Sequence, residues 1–341
     1  MTEFDSRKID PRCHRSIAFL FLLFMAIAPF SVLSARNVAA QPPETKSQSS
    51  TKHPAGHGQP AMELIVLGSG GPRATGRGET SYMVLIAGVP RILVDAGSGA
   101  FVEIGRLDLD LDKMDVVLLT HLHIDHSADL PSVFNARSLS ADDAITYHVF
   151  GPDGGGEFPS TTKFLHLIFD RGGIYQYQRG FGVEETIDGK DLATALNTPE
   201  KEIFAEGDLH IREIATHHGD CPSVAYRVEY KDESITFAGD MDASALDNLE
   251  KLAKDTDLLV VHAAILDPPD TPPILLTLHT PPKQLGEAAK VANAKHVVLS
   301  HIPPVVENRS TEVLKSIHAS YAGPVEFAHD GQKIAVVKRL N

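Results

Sequence analysis

Two cysteines among 341 residues leave no disulfide framework to build on. One of them, Cys13, lies in an N-terminal segment with the layout of a leader, so a processed chain keeps Cys221 alone and can form no internal cross-link. Positive charge is scarce as well: 31 lysines and arginines face 45 acids, a formal net charge of −14. Long-range repulsion from such a surface disfavours broad nucleic-acid binding. A dinucleotide cradle is also missing, because Gly68, Gly70 and Gly71 do not follow the GxGxxG spacing and no helix pattern comes after them.

The leader itself is explicit. Arg12 and Arg15 precede an unbroken apolar run over residues 17–33, and small residues ending in Val38-Ala39-Ala40 follow. Residues 1–40 therefore read as a secretory signal peptide cut after Ala40, which would make the protein periplasmic or secreted. The competing reading is an uncleaved anchor, since the run is near the lower limit for spanning a bilayer. No cysteine stands in a lipid-attachment position, and no twin arginine occurs. Cleavage would remove five basic and three acidic residues, leaving 26 against 42, a net charge of −16, and no membrane span. Residues 41–61, rich in Pro, Ser, Thr, Lys and Gln, read as a disordered spacer in which His53 and His57 are solvated. One folded domain over residues 62–341 would follow.

The densest chemistry lies at residues 120–129, THLHIDHSAD, directly after the apolar run DVVLL. That run has the content of a buried strand. On extended backbone residues two apart point the same way, so His121 and His123 can hold one ion together. Asp125 falls where a helix would begin and suits both an N-cap and a hard ligand, with His126 beside it. Imidazole nitrogen and carboxylate oxygen together suit a borderline divalent ion, and a shared carboxylate allows a second ion nearby.

Around this stretch the chain alternates strands and turns. Residues 63–71 read as a strand entering a glycine turn; residues 82–87 and 91–94 follow, with Gly88-Val89-Pro90 as the turn between them and Asp95-Ala96-Gly97 after. Apolar spacing predicts a helix over 127–139, a strand over 145–150 and a mobile loop over 151–156. Residues 157–182 are the least regular. Their aromatics (Phe164, Phe169, Tyr175, Tyr177, Phe181) and His166 suit either a substrate-contacting flap or the packed side of an insertion. Strands at 211–216, 224–230, 234–238, 257–261 and 295–300 and an amphipathic helix over 281–292 complete the pattern. Polar groups gather at the strand ends: His217-His218, Gly239-Asp240, His262 and His301.

HLHIDH resembles the signature of the metallo-β-lactamase superfamily, and the later motifs are similar to its ribonuclease Z and arylsulfatase-like branch. The resemblance implies a four-layer αββα sandwich with the ligands on loops at one edge of two facing sheets. It implies that His121, His123 and His218 hold one ion and Asp125, His126 and His301 the other, with Asp240 shared. The His-Gly then Pro-Ser context selects His218 over His217, and Phe-Ala-Gly-Asp selects Asp240 over Asp242. Asp95 and His262 would support the ligands without touching metal. Asp125 or His279 would return the proton, while His279 is also readable as a satisfied helix-leading histidine. Cys221 is a ligand in other branches, although a turn thiol is more often a small buried residue.

Such a site would use a hydroxide shared by two divalent ions, with Zn²⁺ suiting the ligands and Mn²⁺ or Fe also compatible. The expected activity is hydrolysis of a small phosphodiester, sulfate ester, lactone or related ester. A ribonuclease Z-like endonuclease is the neighbouring reading, and a non-catalytic metal-binding protein the reading from another class. Three features oppose the nuclease: the export signal, the acidic chain, and Gly71-Pro72-Arg73-Ala74-Thr75-Gly76 where that branch carries Pro-x-Lys-x-Arg-Asn. The branch's His-Glu-Ala-Thr also reads His262-Ala263-Ala264 here, without the glutamate.

Overall fold

Runs such as DVVLL, DLLVV and KHVVLS carry too many consecutive apolar residues for a sheet with one wet face, and imply strands covered on both sides. The computed structural model describes residues 60–180 and 182–336 and shows that arrangement. The signal-peptide assignment over 1–40, residues 41–59 of the spacer, and Phe181 lie outside the described residues.

The first sheet contains β1 (Met62–Gly68), β2 (Ser81–Ile86), β3 (Val89–Ala96), β4 (Val116–Leu118), β5 (Ile145–Pro152) and β6 (Glu185–Leu192). The second contains β7 (Lys201–Glu206), β8 (Leu209–His218), β9 (Cys221–Tyr230), β10 (Glu233–Phe237), β11 (Leu258–His262), β12 (Val297–Ser300) and β13 (Val325–Phe327), and the last strand, β14 (Lys333–Ala335), returns to the first. Strand orders are β14-β1-β2-β3-β4-β5-β6 and β13-β12-β11-β10-β9-β8-β7. Each sheet is antiparallel on one side and parallel on the other, with β3 to β6 and β10 to β13 the parallel halves.

Side chains from the facing sheets, including Leu64, Val84 and Leu118 against Val224, Tyr226 and Val260, fill the central layer. On the outside of the first sheet lie α1 (Ala100–Arg106), α2 (Ile124–Ser127), α3 (Leu130–Ser140) and α4 (Thr161–Phe169), of which α1, α3 and α4 supply Ile104, Phe134 and Leu165 to a second core. The second sheet is covered by α5 (Leu246–Leu252), α6 (Pro282–Val291), α7 (Pro304–Glu307) and α8 (Ser310–Ile317), with Leu249, Leu285 and Ile317 packed beneath. This is the αββα sandwich expected from the sequence. Among the described residues, no helix is long and apolar enough to cross a membrane.

Three local expectations change. The single helix over 127–139 is two, α2 and α3, broken before Asp129 and restarted with Pro131 in the first turn of α3. The turn after β2 is Ala87-Gly88, both at positive φ, and Pro90 sits inside β3 beside a register shift that accommodates its missing N–H. Within 157–182 the chain forms α4, capped by the Ser160 side chain accepting from the Lys163 N–H. Phe169 stacks on Phe134 in the core, whereas Tyr175 and Tyr177 face solvent.

Candidate metal centre

The carboxyl ends of β3, β4, β8, β10, β11 and β12 deliver polar side chains to one edge of the sandwich. Parallel strands place their exposed ends in this way, which is why open α/β sheets bind ligands there. Two backbone devices set the positions. Gly239 turns the chain after β10 at φ 63, where an added Cβ would lie 2.8 Å from the Thr120 Cβ. Asp95 and His301 hold left-handed backbone at φ 53 and 57, a conformation uncommon away from glycine and often found at functional sites.

His121, His123, His218 and Asp240 form one cluster of donor atoms, each within 4.8 Å of the others. The His123 Nδ1 lies 3.0 Å from the His121 Nε2 and 3.3 Å from the His218 Nε2. Donors around a tetrahedral ion with Zn–N bonds of about 2.0–2.1 Å are themselves about 3.3 Å apart. A hydrogen-bond chain orients the rings: the His121 Nδ1–H donates to the Thr120 Oγ1 at 3.1 Å, and that hydroxyl donates to the Asp95 Oδ2 at 2.8 Å. The His218 Nδ1–H donates to the Leu278 carbonyl at 2.7 Å, turning its Nε2 lone pair to the cluster.

A second set lies on the other side of Asp240. The His301 Nε2 is 3.2 Å from the Asp125 Oδ2 and 3.3 Å from the Asp240 Oδ2. The His126 Nδ1–H donates to the Asp95 Oδ2 at 2.8 Å, while its Nε2 is buried without a hydrogen-bond partner, 3.7 Å from both Asp125 and Asp240. A buried ring nitrogen without a partner, facing two carboxylates, is a position that a bound cation would satisfy. Asp125 does not cap the helix: His123 occupies the N-cap, and Asp125, in the first turn of α2, points to His301.

Asp240 is the shared group. Its Oδ2 is 3.3–3.8 Å from the Nε2 atoms of His301, His218, His126 and His121. Its Oδ1 accepts from the His262 Nδ1–H at 2.6 Å, and the His262 Nε2 accepts from the Tyr82 hydroxyl at 3.2 Å. His262 belongs to a buried donor group with His126, Asp240 and His301, yet its Nδ1–H is committed to the carboxylate, so it supports Asp240. Tyr82, Thr120 and Phe158, whose ring centroid lies 5.5 Å from that of His123, were not singled out from the sequence. Only Thr120 carried a signal, as the residue before the histidine string.

Burial pushes the His121 and His123 imidazolium forms down, so both rings are neutral electron-pair donors near pH 7. Burial would raise Asp240, but the His301, His279 and His262 imidazoles override it and hold the carboxyl well below its usual range. His279 lies 3.7 Å from the Asp240 Oδ1 and is pushed down to about 4, by burial first, against the attraction of Asp240. His217 stands outside the cluster: it is half-exposed and bonded to Asp242 at 2.8 Å. Cys221 is buried, and burial raises its thiol to about 12, which leaves it an inert packing residue.

The donor set fits divalent ions: imidazole nitrogens and carboxylate oxygens in two groups, hinged on one carboxylate and braced by Asp95, His262 and Leu278. A family model described as a beta-lactamase superfamily domain matches residues 90–302, more than half of the chain and spanning every residue of the cluster except Tyr82. The chain belongs to the metallo-β-lactamase superfamily.

Within this superfamily of hydrolases the chain is similar to "Ribonuclease Z" of Mycobacterium sp. (strain KMS), 25% identical over 284 residues that cover 81% of this chain and 96% of that protein. Among solved structures, human tRNase Z, short form, has a TM-score of 0.62 at 19% identity, covering 81% of this chain and 100% of that one. The metallo-β-lactamase fold protein YhfI from Bacillus subtilis has a TM-score of 0.60 at 21% identity, covering 80% and 99%. These structural likenesses establish the fold. Ala263, which follows His262 at the exit of β11, is fully buried and brings no carboxylate to the centre.

Proposed function

We propose that the protein is an exported dinuclear-metal hydrolase acting on a small phosphodiester, sulfate ester, lactone or similar ester. One observation carries this reading: the Asp240 Oδ2 is central to two sets of imidazole donors, 3.3–3.8 Å from four Nε2 atoms. Bound divalent ions, with Zn²⁺ suiting the donors and Mn²⁺ or Fe compatible, would supply Lewis acidity and an activated water. His121, His123 and His218 would hold one ion and Asp125, His126 and His301 the other, with Asp240 between.

The remaining residues position and exclude. Asp95 fixes Thr120 and His126 together, so the two donor sets keep one spacing. His262 holds the Asp240 carboxylate in one orientation, which keeps its Oδ2 at the centre. Phe158 packs edge-on against the His123 ring and limits its movement. Asp125 and His279 are the candidates for proton transfer to a leaving group: Asp125 lies against His301, and the His279 Nδ1 is buried without a hydrogen-bond partner; since burial keeps His279 neutral, each would first take a proton from the activated water and then pass it on. The apolar N-terminal segment followed by Val38-Ala39-Ala40 supports export, and removal of that segment would leave the protein periplasmic or secreted.

The name of the mycobacterial relative favours a second reading, RNA cleavage, and the net charge of −14 and the missing glutamate at Ala263 weigh against it. Elemental analysis after reconstitution with Zn²⁺, Mn²⁺ or Fe²⁺ should give two ions per chain. A panel of p-nitrophenyl phosphodiester, sulfate and acetate esters and simple lactones should show metal-dependent turnover. Two bound ions without turnover of any small ester, combined with cleavage of a transfer-RNA precursor, would replace this reading with the nuclease; no turnover of either would leave a metal-binding protein.

A further inference from the structure

A cleft of about 170 Å³ opens against His279 and His301 on the side of the second donor set. Ile265 and Ile302, both buried, line it together with Leu275, from the turn that precedes His279, and Ala264. Opposite runs the segment after β1, which carries Arg73. Gly71 brings that segment against the metal centre: a Cβ there would lie 2.5 Å from the His301 Cε1, so only glycine allows the approach. Leu275 is likewise tied to the chemistry, since its carbonyl accepts from the His279 backbone N–H at 3.0 Å.

The lining differs from the centre in character. It offers aliphatic carbon and one permanent charge, the Arg73 guanidinium, which makes no ion pair among the described residues. A volume of about 170 Å³ is close to that of a cavity that takes one benzene-sized guest, about 150 Å³. It is below the range of about 300–1,000 Å³ for larger ligands. One aromatic ring or a short alkyl chain matches the space between its apolar walls.

Resting on the hydrolase reading above, we propose that this cleft is the subsite for the non-reacting arm of the substrate and that the substrate is an anionic ester, a phosphodiester or sulfate ester, with one compact apolar group. Apolar walls bind such an arm by burying it. Arg73 at the rim compensates the negative charge that the ester keeps, through a charge-assisted hydrogen bond. A neutral lactone would leave Arg73 without an anionic partner, so the cleft narrows the proposed substrates to the charged ones.

The test is binding calorimetry on the metal-loaded full chain with phenylphosphonate and methylphosphonate, which share an anionic head and differ in the arm. Phenylphosphonate should bind at least tenfold tighter. Arg73→Ala should weaken both about tenfold, and Arg73→Lys should recover part of the loss. Leu275→Trp, which fills the cleft, should erase the preference for phenyl; a melting curve on each variant checks its fold, and Arg73, being exposed, supports the test alone if Leu275→Trp does not fold. Equal affinity of the two phosphonates, no binding of either, or an unchanged affinity in Arg73→Ala would overturn the subsite. Ester turnover without a phenyl preference overturns the subsite and spares the hydrolase reading. A phenyl preference lost in Leu275→Trp, with no turnover of any ester, does the reverse.

Discussion

Glu213 offers a sharp test of the packing between the two sheets. It lies on β8, opposite Lys201 on one neighbour and Tyr226 on the other, and shares with Tyr226 the face turned to the central layer. Only 2% of it is exposed, and its Oε2 has no hydrogen-bond partner among the described residues. Burial pushes its carboxyl from the ordinary 4.5 up to about 7, partly offset by Lys201. The folded chain therefore keeps a proton where the unfolded chain has lost it. Stability is full below pH 4.5 and falls as the pH rises to about 7. A tenfold difference in proton affinity between the folded and unfolded chain is worth about 1.4 kcal/mol, so the charged side chain costs at most about 3 kcal/mol at pH 8 and under about 1 kcal/mol at pH 5. Glu213→Gln removes the charge and keeps the shape. With roughly 2 °C of Tm per kcal/mol in a domain of this size, the variant should melt about 6 °C above the parent at pH 8 and within about 2 °C at pH 5. Calorimetric scans at matched metal content measure the difference, in which the titration of the metal centre cancels. The same Tm difference at both pH values, or none at pH 8, would refute the reasoning.

Three further outcomes concern the metal centre. His218→Ala should lose the ion of its set, dropping elemental content from two to one per chain, whereas His217→Ala should keep both because its ring is engaged by Asp242 outside the cluster. Tyr82→Phe leaves the His262 Nε2 unbonded and should cost about 1–2 kcal/mol in urea unfolding. Metal affinity by chelator competition should fall about tenfold in the same variant, and unchanged affinity would show that His262 holds Asp240 without help from Tyr82. Gly239→Ala forces a Cβ into Thr120 at a positive φ, which should destabilise by about 2 kcal/mol and empty the site, read from chemical unfolding and metal content.

The elements most legible in the sequence were those whose burial is most complete. Strands β4, β10, β11 and β12 have both faces covered and appear as short Val, Ile and Leu runs, and each hands a polar residue to the same edge. Histidines spaced as in HLHIDH could be grouped from strand periodicity alone, while His218, Asp240 and His301 needed the family resemblance, because nothing local states that residues so far downstream return to His121. Strands β6 and β7 left no such trace. They are the sheet edges away from β14 and β13, and sequences such as ETIDGKDL and KEIFAE carry the charges that keep edge strands from pairing with other chains, at the expense of the alternation that would reveal them. Tyr82 was invisible for the opposite reason: a tyrosine in a buried strand looks like core until its hydroxyl is seen to reach the facing sheet.

That reach across the layers has a mechanical consequence. Asp95, His121, His123, Asp125 and His126 come from the half of the molecule built on the first sheet, and His218, Asp240, His262 and His301 from the half built on the second. Any ion gripped by both groups is a rivet through the join, and Tyr82 to His262 is a smaller bolt beside it. Neither half alone holds the full donor set, so ions should bind tightly only once both sheets are in place, and withdrawing them should loosen the join between the halves before either sheet frays.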